Sequence, residues 1–230
     1  PISPDQEFTL NYQYQNNAKG NPPYSGSDKT QSTRFWQWPT WEHQSLYFIA
    51  KNKINKESSI KTSLYADKFY NVMKSFDDQT YTSQTKKYAF TSIYNARNFG
   101  GNIILTNTSI ANNQLNYSIQ MNRNEHKSHN VGSPEITNSD FTFSTGVDDK
   151  YRLNEKIDFT GGLSYNYLKS LEAEDQITAT DTTYFPKNNH HAVNAQIAMS
   201  WMPNHKLSIS AFVAHKTRFA TLKERYSYKM

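Results

Sequence analysis

The octapeptide RFWQWPTW, residues 34–41, places three tryptophans and a phenylalanine beside an arginine. Phe35, Trp36, Trp38 and Trp41 offer ring faces on which a planar aromatic ligand can stack. Arg34 can meet anionic groups on the same ligand. The same residues set at a membrane surface would form an interfacial aromatic belt, which needs no ligand. Histidine supplies a second set: His126 and His129 in HKSH, and the adjacent His190 and His191. Neutral imidazole is a common ligand for metals and for haem iron. The plain alternative for all four is a solvated loop histidine. HKSH lacks the glutamate of the zinc-protease motif and has no helical surroundings. No nucleotide-binding loop, serine nucleophile elbow or recognisable carboxylate pair occurs, so the sequence predicts neither an enzyme nor a resident cofactor.

The elements that must position these residues are strands. In KIDFTGGLSYNYL, residues 156–168, Ile157, Phe159, Gly161, Leu163, Tyr165 and Tyr167 alternate with Asp158, Thr160, Gly162, Ser164 and Asn166. Period-2 alternation marks a strand with one apolar and one polar face. The same pattern recurs, and nine strands are predicted: 7–15, 44–54, 59–73, 89–109, 114–124, 140–153, 156–168, 191–201 and 206–219. In the fifth, Leu115, Tyr117, Ile119 and Met121 oppose Asn116, Ser118, Gln120 and Asn122. In the eighth, Val193, Ala195, Ile197, Met199 and Trp201 oppose Asn194, Gln196 and Ser200. Helical periodicity is almost absent. SLEAEDQ holds helix formers but is short and flanked by loop residues.

The connections discriminate further. NKES, ANN, NEK and PNH are hairpin-length turns. The other four connections, about 16–43, 74–88, 125–139 and 169–190, are long, and short alternates with long throughout. Outer-membrane barrels have this asymmetry: short periplasmic turns, long extracellular loops, an apolar band outside and a polar lumen. The predicted strands also suit a tilted crossing of about 9–11 residues. The sequence therefore predicts an antiparallel transmembrane β-barrel in the bacterial outer membrane. Asn116, Gln120, Asn122, Asn194, Gln196 and Ser200 would face its lumen. Arg123 and Asp149 fall on the apolar face near predicted strand ends, where a charge costs only about 0–1 kcal/mol.

Composition agrees. Only 36% of the 230 residues are hydrophobic, yet 14% are aromatic, which is not the signature of disorder. Mean hydropathy is −0.85, and no apolar run is long enough for a transmembrane helix. Cysteine is absent, which removes disulfides and thiolate chemistry. The net charge of +5 raises nucleic-acid binding. The Lys and Arg are scattered rather than clustered, so a solvated surface accounts for them and no nucleic-acid partner is expected.

Several segments resemble the barrel of TonB-dependent outer-membrane receptors: WPTWEHQSLYFIAKNKI with KTSLYADKFYN, then SIYNARNFGGNIIL, DDKYRLNEKIDFTGGLSYNYLKSLEA, and HKTRFATLKERYSYKM. Their order and spacing carry the resemblance over nearly the whole chain. It implies a 22-stranded barrel around an N-terminal plug, importing a scarce nutrient such as a ferric siderophore. Implied partners are the plug, the remaining barrel strands, outer-membrane lipid, and the inner-membrane TonB energy-coupling system acting through the plug. Residues 1–230 would form a partial barrel domain, without the plug, the energy-coupling box or the last strands. A sequence opening PISPDQEFTL fits a mature, trimmed or partial chain. Two other readings stand beside this one: a passive porin-like channel, and a soluble or surface β-sheet module of adhesin or lectin type.

Overall fold

The computed structural model describes the chain except residues 1–3, 23, 29, 31, 32, 177, 179 and 227–230. The last four of these close the HKTRFATLKERYSYKM segment and so lie outside the described residues. The elements are β1 (Gln6–Gly20), β2 (Phe35–Lys53), β3 (Ser58–Phe76), β4 (Phe90–Asn107), β5 (Asn113–Asn130), β6 (Ile136–Asn154), β7 (Ile157–Gln176), β8 (Thr182–Tyr184), β9 (Asn189–Asn204), β10 (Leu207–His215) and α1 (Leu222–Tyr226). They form one antiparallel sheet in the order β1-β2-β3-β4-β5-β6-β7-β9-β10, with the three-residue β8 attached to β7. The nine expected strands are thus present as a meander, each paired with its neighbour in sequence.

Most strands are longer than the alternation predicts, whereas β4 and β10 are shorter. β3 has 19 residues and β7 has 20. Most of the extra length lies at the end with the long connections; at the other end β9 gains residues 202–204. SLEAEDQ, the expected loop segment after the seventh strand, is the top of β7. The expected long connection at 125–139 does not exist. Glu125 pairs with Ser139 and Lys127 with Thr137, which leaves a turn at 131–135. The strict alternation of short and long connections therefore fails at that point. The final strand ends at His215, earlier than expected.

Two faces follow from the register. Residues opposite one another share a face, so Leu10, Phe48, Leu64, Gly101, Met121, Phe143, Tyr167 and His191 form one row across the sheet. The face holding this row is apolar and has nothing packed on it among the described residues. Leu10 is 71% exposed, Ile197 61%, Val193 56% and Leu163 54%. Among the described residues only Ala50, Met73, Leu168 and Ala173 are fully buried apolar side chains. A soluble sandwich would bury these Leu, Ile and Val faces against one another, and this sheet does not. The apolar face is the outward, lipid-facing side of a barrel wall, and the polar face is its lumen side.

The apolar band slants across the hydrogen-bond rows. Its upper limit lies at Gln44, Lys68 and Arg97 on β2–β4, one row lower at Arg123 and Lys169 on β5 and β7, and lower again at His191 on β9. A band that crosses rows obliquely requires strands tilted against the membrane normal, as barrel closure demands. On β7 the band covers Ile157–Tyr167, which matches a tilted crossing of about 9–11 residues. Arg123 marks the upper limit of the band although it lies mid-strand. Asp149 sits inside the band, two positions above Tyr151 and opposite Gly161.

The glycine pair in FGG serves both faces. A Cβ on Gly100 would collide with the ring and hydroxyl of Tyr65, which crosses the lumen face to donate to Asn122 Oδ1 at 3.1 Å. A Cβ on Gly101 would meet Leu64 Cδ2 at 2.7 Å on the lipid face.

Candidate functional site

Above the apolar band the polarity of the two faces inverts. On β5 the apolar residues run Leu115, Tyr117, Ile119, Met121, all outward, and then the phase shifts to His126 on the lumen face. Phe69 on β3, Tyr94 on β4 and Leu168 on β7 make the same switch, each one step out of phase with the lipid-facing residues below. The outward face at this height carries Lys68, Arg97, Arg123, Glu125, Lys127 and Lys169. The strands therefore present aromatic groups inward at their upper ends and apolar groups outward at their lower ends.

The densest part of the upper wall is the RFWQWPTW stretch, which lies in β2 rather than at a loop end. The register between β2 and β3 shifts between Gln37 and Thr40. Pro39 sits inside that bulge, where its missing N–H costs no ladder bond. The extra residue brings Trp36, Trp38 and Trp41 onto the same face. Their rings form an edge-to-face chain, Trp36–Trp38 at 6.1 Å and Trp38–Trp41 at 6.2 Å, which continues to Phe69 at 4.8 Å. Trp36 donates its indole N–H to Ser75 Oγ at 3.1 Å. These are lumen-side contacts, so the outer-leaflet belt is not the role of these tryptophans. Phe35 lies opposite Phe76 and points outward.

Cations cover the ring faces. Lys19 Nζ lies 3.3 Å from the Trp41 centroid and 4.8 Å from that of Trp38. A second bulge, between Asn17 and Lys19 on β1, sets this lysine opposite Trp38. Arg34 stacks over Trp36 at 4.7 Å. The surface offered to the lumen is therefore indole edges topped by positive charge, suited to an anion with aromatic parts.

The histidines do not act as pairs. His126 and His129 are on β5 and not in a loop, and a spacing of three on a strand puts them on opposite faces. His126 stacks on Tyr94 on the lumen side, with centroids 6.0 Å apart. His129 faces outward, 3.9 Å from Glu135. His190 and His191 open β9 and also diverge, again in place of the expected loop. His190 faces the lumen near Phe219, whereas His191 accepts or donates a hydrogen bond at Tyr165 Oη, 2.5 Å away, on the lipid side. Among the described residues, no group of three His, Asp or Glu could hold a metal ion.

A groove of about 870 Å³ runs along the upper lumen wall, lined by Phe69, Tyr94, His126, Asp140 and Leu168 and roofed by residues 219–226. That roof is a feature the sequence did not disclose. The segment after β10 turns back onto the wall and ends in α1. Arg225 pairs with Asp140 and donates to Ser170 Oγ at 2.8 Å, and Tyr226 shares a hydrogen bond with Ser170 at 2.8 Å. No α1 residue is fully buried, although the Arg225 side chain is largely covered, and polar contacts hold the helix in place. The helix itself starts with a capping box: Thr221 N–H donates to Glu224 at 2.7 Å, and Glu224 N–H donates back to Thr221 Oγ1. Arg218, paired with Glu224, and Thr221 hold the Glu224 carboxyl down at about 2.

The connection at 77–89 is ordered by a buried carboxylate. Asp77 accepts from Thr85 N–H at 2.8 Å, Thr85 Oγ1 at 2.8 Å and Lys86 N–H at 2.9 Å. Burial opposes the charge of Asp77, and these donors outweigh it, so the carboxyl is held well below the usual carboxylate range. Lower in the lumen, the expected polar wall is present. Asn116 donates to Asp148 at 2.8 Å, and Ser200 shares a hydrogen bond with Ser210 at 2.9 Å.

No protein-family model and no curated protein matches this chain. Solved structures do. A copper transporter, OprC, superposes with a TM-score of 0.72 at 12% identity, over 95% of this chain and 36% of its own. The ferric-catecholate import receptor Fiu from E. coli K12 gives 0.65 at 9% identity, over 98% of this chain and 45% of its own. The FrpB iron transporter from Neisseria meningitidis gives 0.62 at 12%, over 90% and 34%. The fold is that of a TonB-dependent receptor barrel. The chain spans between a third and a half of those receptors' length. β1 and β10 are unpaired on their far sides among the described residues, and lipid cannot satisfy bare strand edges.

Proposed function

We propose that this chain forms wall and upper lumen surface of an energy-coupled outer-membrane receptor that imports a scarce nutrient as an anionic chelate, a ferric siderophore above all. The observation that carries this reading is the polarity inversion, with cation-capped indoles facing inward above the membrane. Arg34, Trp36, Trp38 and Trp41 meet the ligand's aromatic and anionic parts, with Lys19 as a further cation. His126 and His190 line the same wall. Phe35, His129 and His191 face away from the lumen and take no part. The chain makes and breaks no bonds. Its partners are a plug domain against the polar lower lumen, the further barrel strands, and the TonB system acting through the plug.

Tryptophan fluorescence of the purified whole receptor tests the binding role. A ferric catecholate chelate is expected to quench it saturably, and Trp41→Ala with Lys19→Ala to weaken binding roughly tenfold or more. Unchanged affinity would remove this wall from the ligand site. Ion conductance through the purified protein without an energy source would favour a passive channel instead.

A further inference from the structure

The upper lumen wall has two ends of opposite chemistry. On β1 and β2, Lys19 and Arg34 cover aromatic rings. On β3–β6, Asp67, Asn98, Asn124 and Asp140 lie on one inward row along the groove, with no lysine or arginine among them. Asn138 is two residues from Asp140 on β6 and so shares its face. These two side chains belong to residues only 6% and 3% exposed, and both line the groove. Asn138 Oδ1 and Asp140 Oδ1 have no hydrogen-bond partner among the described residues. A buried acceptor left without a donor is costly, and two on one wall mark a place that a donor would fill.

The donor now in place is Arg225, from the roof. Its Nη2 meets Asp140 through Oδ2 alone. Its Nη1 turns away, to Ser170 Oγ at 2.8 Å and Tyr226 Oη at 3.0 Å. Arg225 therefore holds the carboxylate by one prong and leaves Oδ1 and Asn138 unused. A planar amidinium or guanidinium set square to Asp140 would take both oxygens in a fork. The roof is also loosely seated. It borders the groove of about 870 Å³ and a second cavity of about 490 Å³ beside Phe185 and His190.

We infer that the groove is a binding site for an organic cation with an amidinium or guanidinium head and a flat apolar body, and that Arg225 is its built-in competitor. The head forks onto both oxygens of Asp140, and Asn138 Oδ1 offers a further acceptor. The body lies against Phe69, Tyr94 and Leu168, which line the same groove. Binding displaces Arg225 and lifts the roof. A neutral body alone would leave Asp140 desolvated and without its cation, so charge decides entry. The inference is separate from the anion reading of the tryptophan wall and does not depend on it.

The test is a fluorescence titration of the whole receptor in detergent with 4-aminobenzamidine, a planar amidinium that brightens out of water. 4-Aminobenzamide, of the same outline but uncharged, is the control. The amidine should bind the wild-type protein roughly tenfold or more tighter than the amide. R225Q removes the competitor and should tighten amidine binding by roughly tenfold. D140N in the R225Q background should abolish that gain. Hydrogen exchange across residues 216–226 should rise when the amidine is added to the wild-type protein, while β5 and β6 stay protected. Unboiled gels show whether each variant still forms a heat-modifiable barrel. Equal binding of amide and amidine overturns the cation site. R225Q binding no tighter than wild type overturns the role of Arg225 as competitor. Both of these comparisons leave Asp140 untouched, so they decide the matter even if D140N fails to fold. Undiminished amidine binding by R225Q/D140N in a heat-modifiable barrel places the cation elsewhere and also overturns the site.

Discussion

The lower and upper halves of the same strands obey opposite rules. Below the row of Arg123, leucine, isoleucine, valine and tyrosine point outward, while Asn116, Gln120 and Asp148 line the lumen. Above it, Phe69, Tyr94, His126 and the three tryptophans point inward, and Lys68, Arg97 and Lys127 share the outside with Tyr70, Val72 and Ile93. The same strands carry both halves, with register shifts in the upper half at Asn17/Lys19, Gln37/Thr40 and Ser139/Asp140. Which face is apolar therefore changes with height along the strand, with the lipid-facing side below and the lumen above. It is not a property of the strand as a whole.

The largest effect is expected from a charge placed in the lower band. Ile119→Arg puts a cation among Ile103 and Thr145 on the lipid face and should cost about 2–4 kcal/mol. Ile93→Arg makes the same change on the outward face near the upper end of β4 and should cost about 0–1 kcal/mol. Denaturant titration of the refolded barrel in lipid vesicles measures both. Equal costs would remove the height dependence.

A second test breaks the upper half from within. Asp140→Ala leaves Arg225 without its carboxylate in a site where both side chains are largely buried, a loss of about 3 kcal/mol. Residues 216–226 should then lose hydrogen-exchange protection while β5 and β6 keep theirs. Gly100→Ala acts at the boundary. It displaces Tyr65 and breaks the bond to Asn122, at about 1–3 kcal/mol, read as a lower temperature for loss of the heat-modifiable band.

The smallest effects are those of pH at the upper rim. Asp77 and Glu224 both have lowered carboxyl pKa values, so their stabilisation is complete above the ordinary carboxylate range of about 4. It disappears only as pH falls through the lowered values, toward about 2 for Glu224. Amide exchange at Thr85 and Lys86, corrected for intrinsic rates, should show equal protection at pH 7 and pH 5. Asp77→Asn should lose that protection at both.

The lower half was legible because the sequence states its rule directly. Leu115, Tyr117, Ile119 and Met121 alternate with polar residues, and the structure uses them so. The upper half was misread for the same reason. In NRNEHKSHN both faces carry polar groups, so alternation vanishes and the segment resembles a loop. Its pairing with Ser92–Asn98 keeps it in the sheet. Trp36, Trp38 and Trp41 break period 2, which hid their shared face. Pro39 inside the run was the available signal, because a proline within a strand favours a bulge. The docking of Arg225 on Asp140 spans 85 residues and leaves no local trace in the sequence.

The central claim is the inversion itself, and site-directed spin labelling tests it most directly. In forms of the whole protein whose only cysteine is the one introduced, labels at positions 119, 69 and 97 sample the lipid face, the upper lumen and the outer rim. The expected result is high oxygen accessibility for 119, access to a water-soluble nickel complex for 97, and shielding of 69 from lipid-dissolved oxygen. A label at 69 as accessible to oxygen as that at 119 would place the aromatic wall in the bilayer and contradict the account.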